Sequence, residues 1–189
     1  AVLALCGLRF GELAGLTVKR VNMLRRRLVI AESVTEVNGR LVWSTPKTHR
    51  TRSVPFPPSL GPSIEAMCVG KGPDDLLFTA PEGGVLRLNN WRRRVFDPAR
   101  KAIGRADVKP HDLRHTAASL AIAAGANVKA VQQMLGHASA AMTLDVYAGL
   151  FGDDLDAVAI ALDGVVPQVR PIDPEEEGDD GAVGVPARG

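Results

Sequence analysis

"HDLRHTAASLAIAAGANVKAVQQMLGHASAAMTLDVYAGL", residues 111–150, is the stretch on which the fold turns. Its apolar residues recur at helical spacing, and its breaks fall at glycines that are followed by helix-capping residues. Gly125 ends a first helix and Asn127 starts a second; Gly136 ends the second and Ser139 starts a third. Glycine takes the left-handed closing conformation without a steric penalty, and Asn and Ser side chains accept from the free N–H groups of a first turn. The second half of the chain is therefore read as helical.

Upstream, "LNNWRRRVFDPARKAIG" (88–104) is also helical in period, with Trp91, Val95, Ala99 and Ala102 on one side. Pro98 lies inside it, which predicts a kink or a fresh start with Asp97 as N-cap. "SIEAMCVG" (63–70) reads as a helix, "DDLLFTA" (74–80) as a short extended piece and "PEGGVLR" (81–87) as a turn. "LRRRLVIAESVTEVNGRLVWSTPKTHRTRSVPFPP" (24–58) is different in kind: β-branched runs flank Asn38-Gly39, a strong hairpin signal, with a second turn near Lys47 to Arg50 and a proline exit. The expectation is a three-stranded antiparallel sheet. The opening "AVLALCGLRFGELAGL" reads as a helix closed by Gly7, a turn holding Arg9 and a short second helix. The fold class is α+β, mainly helical.

Beyond Phe151, Leu155, Val158, Ala159 and Leu162 place an apolar stripe on one more helix. From about Pro167, Pro, Gly and acids take over, a composition that does not bury enough apolar surface to order itself. The expected division is 1–165 for the folded domain and 166–189 for an acidic tail.

Charge is divided unevenly. The chain carries +2 overall, but residues 151–189 hold ten acids against two arginines, which leaves +10 on residues 1–150. Such an excess favours a polyanionic partner, with nucleic acid the commonest. No apolar run reaches membrane-spanning length, so the expectation is a cytoplasmic, nucleoid-associated protein without a membrane partner. Cys6 and Cys68 stand in no metal-ligand spacing and read as reduced thiols.

Several polar residues have ordinary readings when taken singly. His111 and Arg114 in "KPHDLRHT" share a helix face and suit a solvated or capping pair. His137 follows the glycine that ends a helix, a favourable place for a histidine. Arg9 and Lys47 read as turn cations, and Tyr147, the only tyrosine, as a half-buried core residue whose face also holds Leu144, Ala148 and Phe151.

Taken together, "GLRFGELAGL", "TPKTHRTRSVPFP", "HDLRHTAASLAIAAGA" and "MLGHASAAMTLDVYAGL" resemble the tyrosine recombinase (phage integrase) family in residue type and order, over roughly residues 1–150. The resemblance implies a catalytic domain, with further protein expected before Ala1. It implies that Tyr147 attacks a DNA phosphodiester to give a 3′-phosphotyrosyl link and a free 5′-hydroxyl. A free phenol has a pKa near 10, so about one in a thousand is ionised at neutral pH and the nucleophile needs a base. His111 is the expected general base. Arg9 and Arg114 are expected to clamp the non-bridging oxygens, where planar forks match the charge of the transition state. His137 is expected to donate to such an oxygen or steady Tyr147, and Lys47 to protonate the leaving 5′-oxygen. Glu12, one turn from Arg9, is expected to orient an active-site histidine or arginine.

Resealing by a second strand's 5′-hydroxyl conserves the bond energy, so neither a cofactor nor a metal is expected. Arg50, Arg52, Arg92, Arg93 and Arg94 are candidate phosphate contacts. The resemblance further implies double-stranded DNA as partner, a homotetramer on two DNA sites in the full-length protein, and an accessory DNA-bending or directionality factor. The competing readings are a non-catalytic DNA-binding regulator built from short helices, and a type IB topoisomerase, which uses the same phosphotyrosine chemistry to relax one duplex.

Overall fold

The computed structural model describes residues 1–45 and 51–150. The turn around Lys47 to Arg50, the helix expected after Phe151, the 165/166 boundary and the acidic tail lie outside the described residues.

The chain opens with α1 (Val2–Cys6), closed by Gly7 in the left-handed region, and α2 (Phe10–Ala14), whose N-cap is Arg9. Gly11 in α2 allows a close approach: a Cβ there would stand 2.6 Å from the Val34 carbonyl oxygen. Only a residue without a side chain lets α2 lie this near the sheet backbone.

Among the described residues five strands follow: β1 (Val21–Asn22), β2 (Arg27–Ile30), β3 (Ser33–Val37), β4 (Arg40–Ser44) and β5 (Arg52–Pro55). A three-stranded antiparallel sheet is present, but its strands are β1, β2 and β5, with Leu28 opposite Val54 and Ile30 opposite Arg52. The Asn38-Gly39 hairpin, with both residues at positive φ, forms its own two-stranded ribbon of β3 and β4. The division follows burial. Leu28, Ile30 and Val54 are fully enclosed, whereas Val37, Val42 and Trp43 of the ribbon are exposed and its Val34 is buried where β3 lies close to α2.

α3 (Gly61–Cys68) comes after the prolines. The extended piece at residues 74–80 makes isolated bridges, Thr17 to Leu76 and Thr79 to Val85, around a turn. α4 (Leu88–Trp91) then passes through a π turn, Arg92–Phe96, into α5 (Asp97–Ala102). The helix does not start afresh with an Asp97 cap; a π turn stands where a kink or a fresh start was expected. Asp97 is itself helical and its carboxylate engages Arg100 and Arg92. The wider π turn accommodates a proline ring and its missing N–H without ending the helix.

The last three described helices are α6 (Asp112–Ala123), α7 (Val128–Leu135) and α8 (Ala140–Tyr147). Asn127 caps α7 by accepting from the Ala130 N–H, Gly136 closes it at φ 68°, and Ser139 caps α8 by accepting from the Met142 N–H. One core joins both halves: Cys6 and Leu8 meet Ala117 and Ala118 of α6, Val131 and Leu135 of α7, and Leu28, Ile30 and Val54 of the sheet. Tyr147 belongs to this core. Cys6, enclosed there, has its thiol pushed up to about 11 by burial and stays protonated.

Candidate active site

The site is built where α2, α6, α7 and α8 meet. Arg9 sits at the N-cap of α2, and Glu12 reaches back to it twice: its Oε2 accepts the Arg9 N–H at 2.8 Å and its Oε1 accepts Arg9 Nη1 at 3.0 Å. Glu12 is almost wholly buried, and its main counter-charge is Arg52 of β5, whose two terminal nitrogens donate to the two carboxylate oxygens at 2.8 and 2.6 Å. Burial pushes the Glu12 carboxyl up, but hydrogen bonds and charge from Arg52 and Arg9 outweigh it and hold the group below its ordinary range.

Arg114 on α6 is buried as well. Its Nη1 donates to the Gly7 carbonyl and its Nη2 to the Leu135 carbonyl, the C-terminal turns of α1 and α7. These carbonyls lack helical partners, so the guanidinium satisfies both while being fixed by them. Burial, then the positive charge of Arg9, pushes Arg114 down to about 10, and it remains charged at neutral pH.

Three imidazoles border the arginines. His111 stands exposed at the N-cap of α6, and its ring meets the edge of His115 with centroids 5.2 Å apart. Desolvation, followed by His115, Arg114 and Arg9, moves the His111 pKa down. His115 is half-buried, and its Nδ1 lies 2.7 Å from the Tyr147 hydroxyl. His137 pairs its Nδ1 with Thr143 Oγ1 at 3.0 Å, and Thr143 is fully enclosed. Desolvation and the charges of Arg114, Arg9 and Arg52 push His137 down to about 4, so its ring is neutral at physiological pH. Tyr147 has its phenol pushed up by burial, with Arg114 opposing the rise.

The structure therefore gathers Arg9, Glu12, His111, Arg114, His137 and Tyr147 into one cluster. Lys47 and Arg50 lie outside the described residues. Arg52, a candidate phosphate contact, points inward, where Glu12 and the Met134 carbonyl occupy its donors, and this makes it a support of the cluster. Arg92, Arg93 and Arg94 are exposed on the π turn; Arg92 pairs with Asp97 and Arg94 with Glu82, each at 3.4 Å. Two members escaped the sequence reading, His115 and Thr143. His115 follows His111 by four residues and so shares its helix face, a signal available in "HDLRHT". Thr143 has no such signal, because its link to His137 depends on the turn between α7 and α8.

The sequence of residues 1–151 matches the phage integrase family. The chain belongs to that family. Among curated phage integrase relatives, a putative prophage phiRv2 integrase of Mycobacterium tuberculosis is 33% identical over 158 residues, covering 81% of this chain and 42% of that protein. The integrase of Mycobacterium phage L5 is 31% identical, over 76% of this chain and 40% of its own. The tyrosine recombinase XerD of Pseudomonas aeruginosa is 30% identical, over 75% of this chain and 45% of its own. The chain thus spans less than half the length of these relatives. Among solved structures, the Tn1549 transposon integrase in complex with circular intermediate DNA shares the fold at a TM-score of 0.69 and 22% identity, covering 87% of this chain and 58% of that one. The XerA recombinase shares it at a TM-score of 0.57 and 24% identity, over 88% and 55%. The family fold is thus the α+β, mainly helical one expected from the sequence.

Proposed function

We propose that this chain carries the catalytic residues of a site-specific DNA recombinase of the integrase type, which cleaves and rejoins DNA through a 3′-phosphotyrosyl intermediate. One observation carries the reading: the chain's only tyrosine is packed into the core with its hydroxyl held by an imidazole, inside the field of a buried guanidinium. A tyrosine serving only as core would not need Arg9, Arg114, His111 and His137 around its polar end.

In this reading Arg9 and Arg114 receive the non-bridging oxygens of the scissile phosphate. Their forks are fixed beforehand by Glu12 and by the Gly7 and Leu135 carbonyls, so little reorganisation accompanies charge development. Neutral His137, its Nδ1 engaged by Thr143, offers Nε2 to the same phosphate. Lys47 is the acid for the leaving 5′-oxygen. The partner is double-stranded DNA, which suits the basic first 150 residues, and two bound sites brought together in a tetramer would allow strand exchange. An accessory bending or directionality factor and a nucleoid location belong to the same reading. Among the described residues no helix is long and apolar enough to cross a membrane.

The test is a nicked suicide duplex drawn from DNA flanking the gene, incubated with full-length protein and resolved on a denaturing gel. Wild type should yield a covalent adduct and Tyr147→Phe none. An adduct from both, or from neither while sequence-specific binding persists, would overturn the assignment. Relaxation of one duplex without exchange between two would favour a topoisomerase.

A further inference from the structure

His111 is the histidine that sequence order nominates as base, yet the phenol's hydrogen bond is made elsewhere. Among the described residues the Tyr147 hydroxyl pairs with His115 Nδ1 at 2.7 Å, and His111 contacts the edge of the His115 ring. A general base must first be within hydrogen-bond reach of the proton it removes, and only then suitably basic.

We infer that His115 is the catalytic residue that accepts the Tyr147 proton, with His111 standing behind it. The inference rests on the recombinase reading of the site. With Nε2 protonated, His115 Nδ1 accepts from the phenol. As the phenol oxygen uses a lone pair to form the new P–O bond, its O–H bond breaks and the proton passes to Nδ1, giving an imidazolium. The 5′-oxygen leaves with the P–O electron pair and takes a proton from the general acid. On resealing, the tyrosyl oxygen departs and recovers its proton from His115. The rings packed against His115 are Tyr147 from α8 and His111 from the start of α6; Arg114 is adjacent on α6 itself, and His137, from the turn before α8, lies within electrostatic reach. Tilted ring packing of His115 on Tyr147, centroids 5.7 Å apart, keeps the two polar atoms aligned before DNA arrives.

Two experiments separate this inference from the reading beneath it. In the full-length protein, the near-ultraviolet phenolate absorbance of wild type minus that of Tyr147→Phe isolates this one group and needs no DNA. Once the phenol is ionised, neutral His115 carries its proton on Nδ1 and donates to the phenolate, a charge-assisted bond stronger than the one it accepts from the phenol; His115→Phe removes it, so the ionisation midpoint should rise by about one pH unit. An unchanged or lowered midpoint would show that His115 does not hold the phenol. The second experiment uses the nicked duplex and full-length protein. His115→Asn keeps a polar atom near the Nδ1 position but does not accept a proton, so adduct formation should slow by about 100-fold or more while DNA affinity is retained. His115→Ala should slow likewise and be partly restored by free imidazole. Wild-type rates in His115→Asn, or a slow His115→Ala that imidazole leaves unrestored, would overturn proton acceptance while the Tyr147 adduct stands. If wild type forms no adduct, the recombinase reading fails, and the absorbance titration still decides whether His115 controls the phenol.

Discussion

Glu12 and Arg52 meet through two parallel hydrogen bonds, at 2.8 and 2.6 Å, and the remaining Arg52 Nε donates to the Met134 carbonyl at 3.1 Å. The pair ties α2, β5 and α7 together beneath Arg9. Removing either partner leaves the other charge in a place closed to water.

Glu12→Ala should destabilise the chain by about 3–5 kcal/mol, the usual cost of orphaning a buried partner. Glu12→Leu combined with Arg52→Met should cost less than the sum of its single changes, because neither charge remains unpaired. Denaturant unfolding of the four chains measures this; strict additivity would mean the pair does not act as a unit.

Acid should weaken the fold in two steps of the same sign. The Glu12 carboxyl is held below its unfolded value of about 4.3, so its stabilisation is full above that pH and fades as pH falls through the folded value. His137 is depressed to about 4. Between there and its unfolded value of about 6.5 the unfolded chain binds the extra proton, so this contribution too is present above 6.5 and lost on acidification. Thermal midpoints should begin to fall near pH 6.5, and His137→Gln should make that first descent shallower, with depressed His111 supplying the remainder, while leaving the steeper one below it. A flat wild-type profile between pH 6.5 and 5 would contradict the neutral His137.

Gly136 and Gly125 offer a controlled comparison. Both have positive φ, 68° and 83°, but a Cβ on Gly136 would lie 2.8 Å from Arg52 Cδ, whereas Gly125 faces open space. Gly125→Ala should cost about 1–2 kcal/mol for its left-handed backbone. Gly136→Ala should cost that much and also push Arg52 from Glu12, a difference readable as a lower denaturant midpoint. Equal midpoints would mean Arg52 shifts freely and the clamp is loose.

Arg114→Lys keeps the charge but not the fork, and one ammonium does not replace two guanidinium nitrogens on the Gly7 and Leu135 carbonyls. A carbonyl left without its buried donor should cost about 1–3 kcal/mol, measured by unfolding. Adduct formation should fall further than stability does. Arg9→Lys, at a half-buried guanidinium, should lose adduct with much less change in stability.

The helices after residue 110 were legible because capping is local: Asn127, Gly136 and Ser139 act within one turn of their own positions. The Asn38-Gly39 hairpin was legible for the same reason. Which strands would share a sheet was not, since the pairing of β2 with β5 is set by burial of Leu28, Ile30 and Val54 across an intervening ribbon. The π turn before Pro98 likewise depends on Trp91 and Phe96 stacking 5.3 Å apart as well as on the proline.

By itself the sequence determined the family, the helical second half and the residue types at the site, because these are carried by short motifs whose chemistry and order are fixed along the chain. Only the tertiary structure decided which histidine holds Tyr147, that Arg52 turns inward to Glu12, and that Arg114 links the ends of α1 and α7. Each is a contact of a few ångströms between residues far apart in the chain or on separate helices, and spacing along a sequence does not encode which of two neighbouring rings a folded phenol will meet.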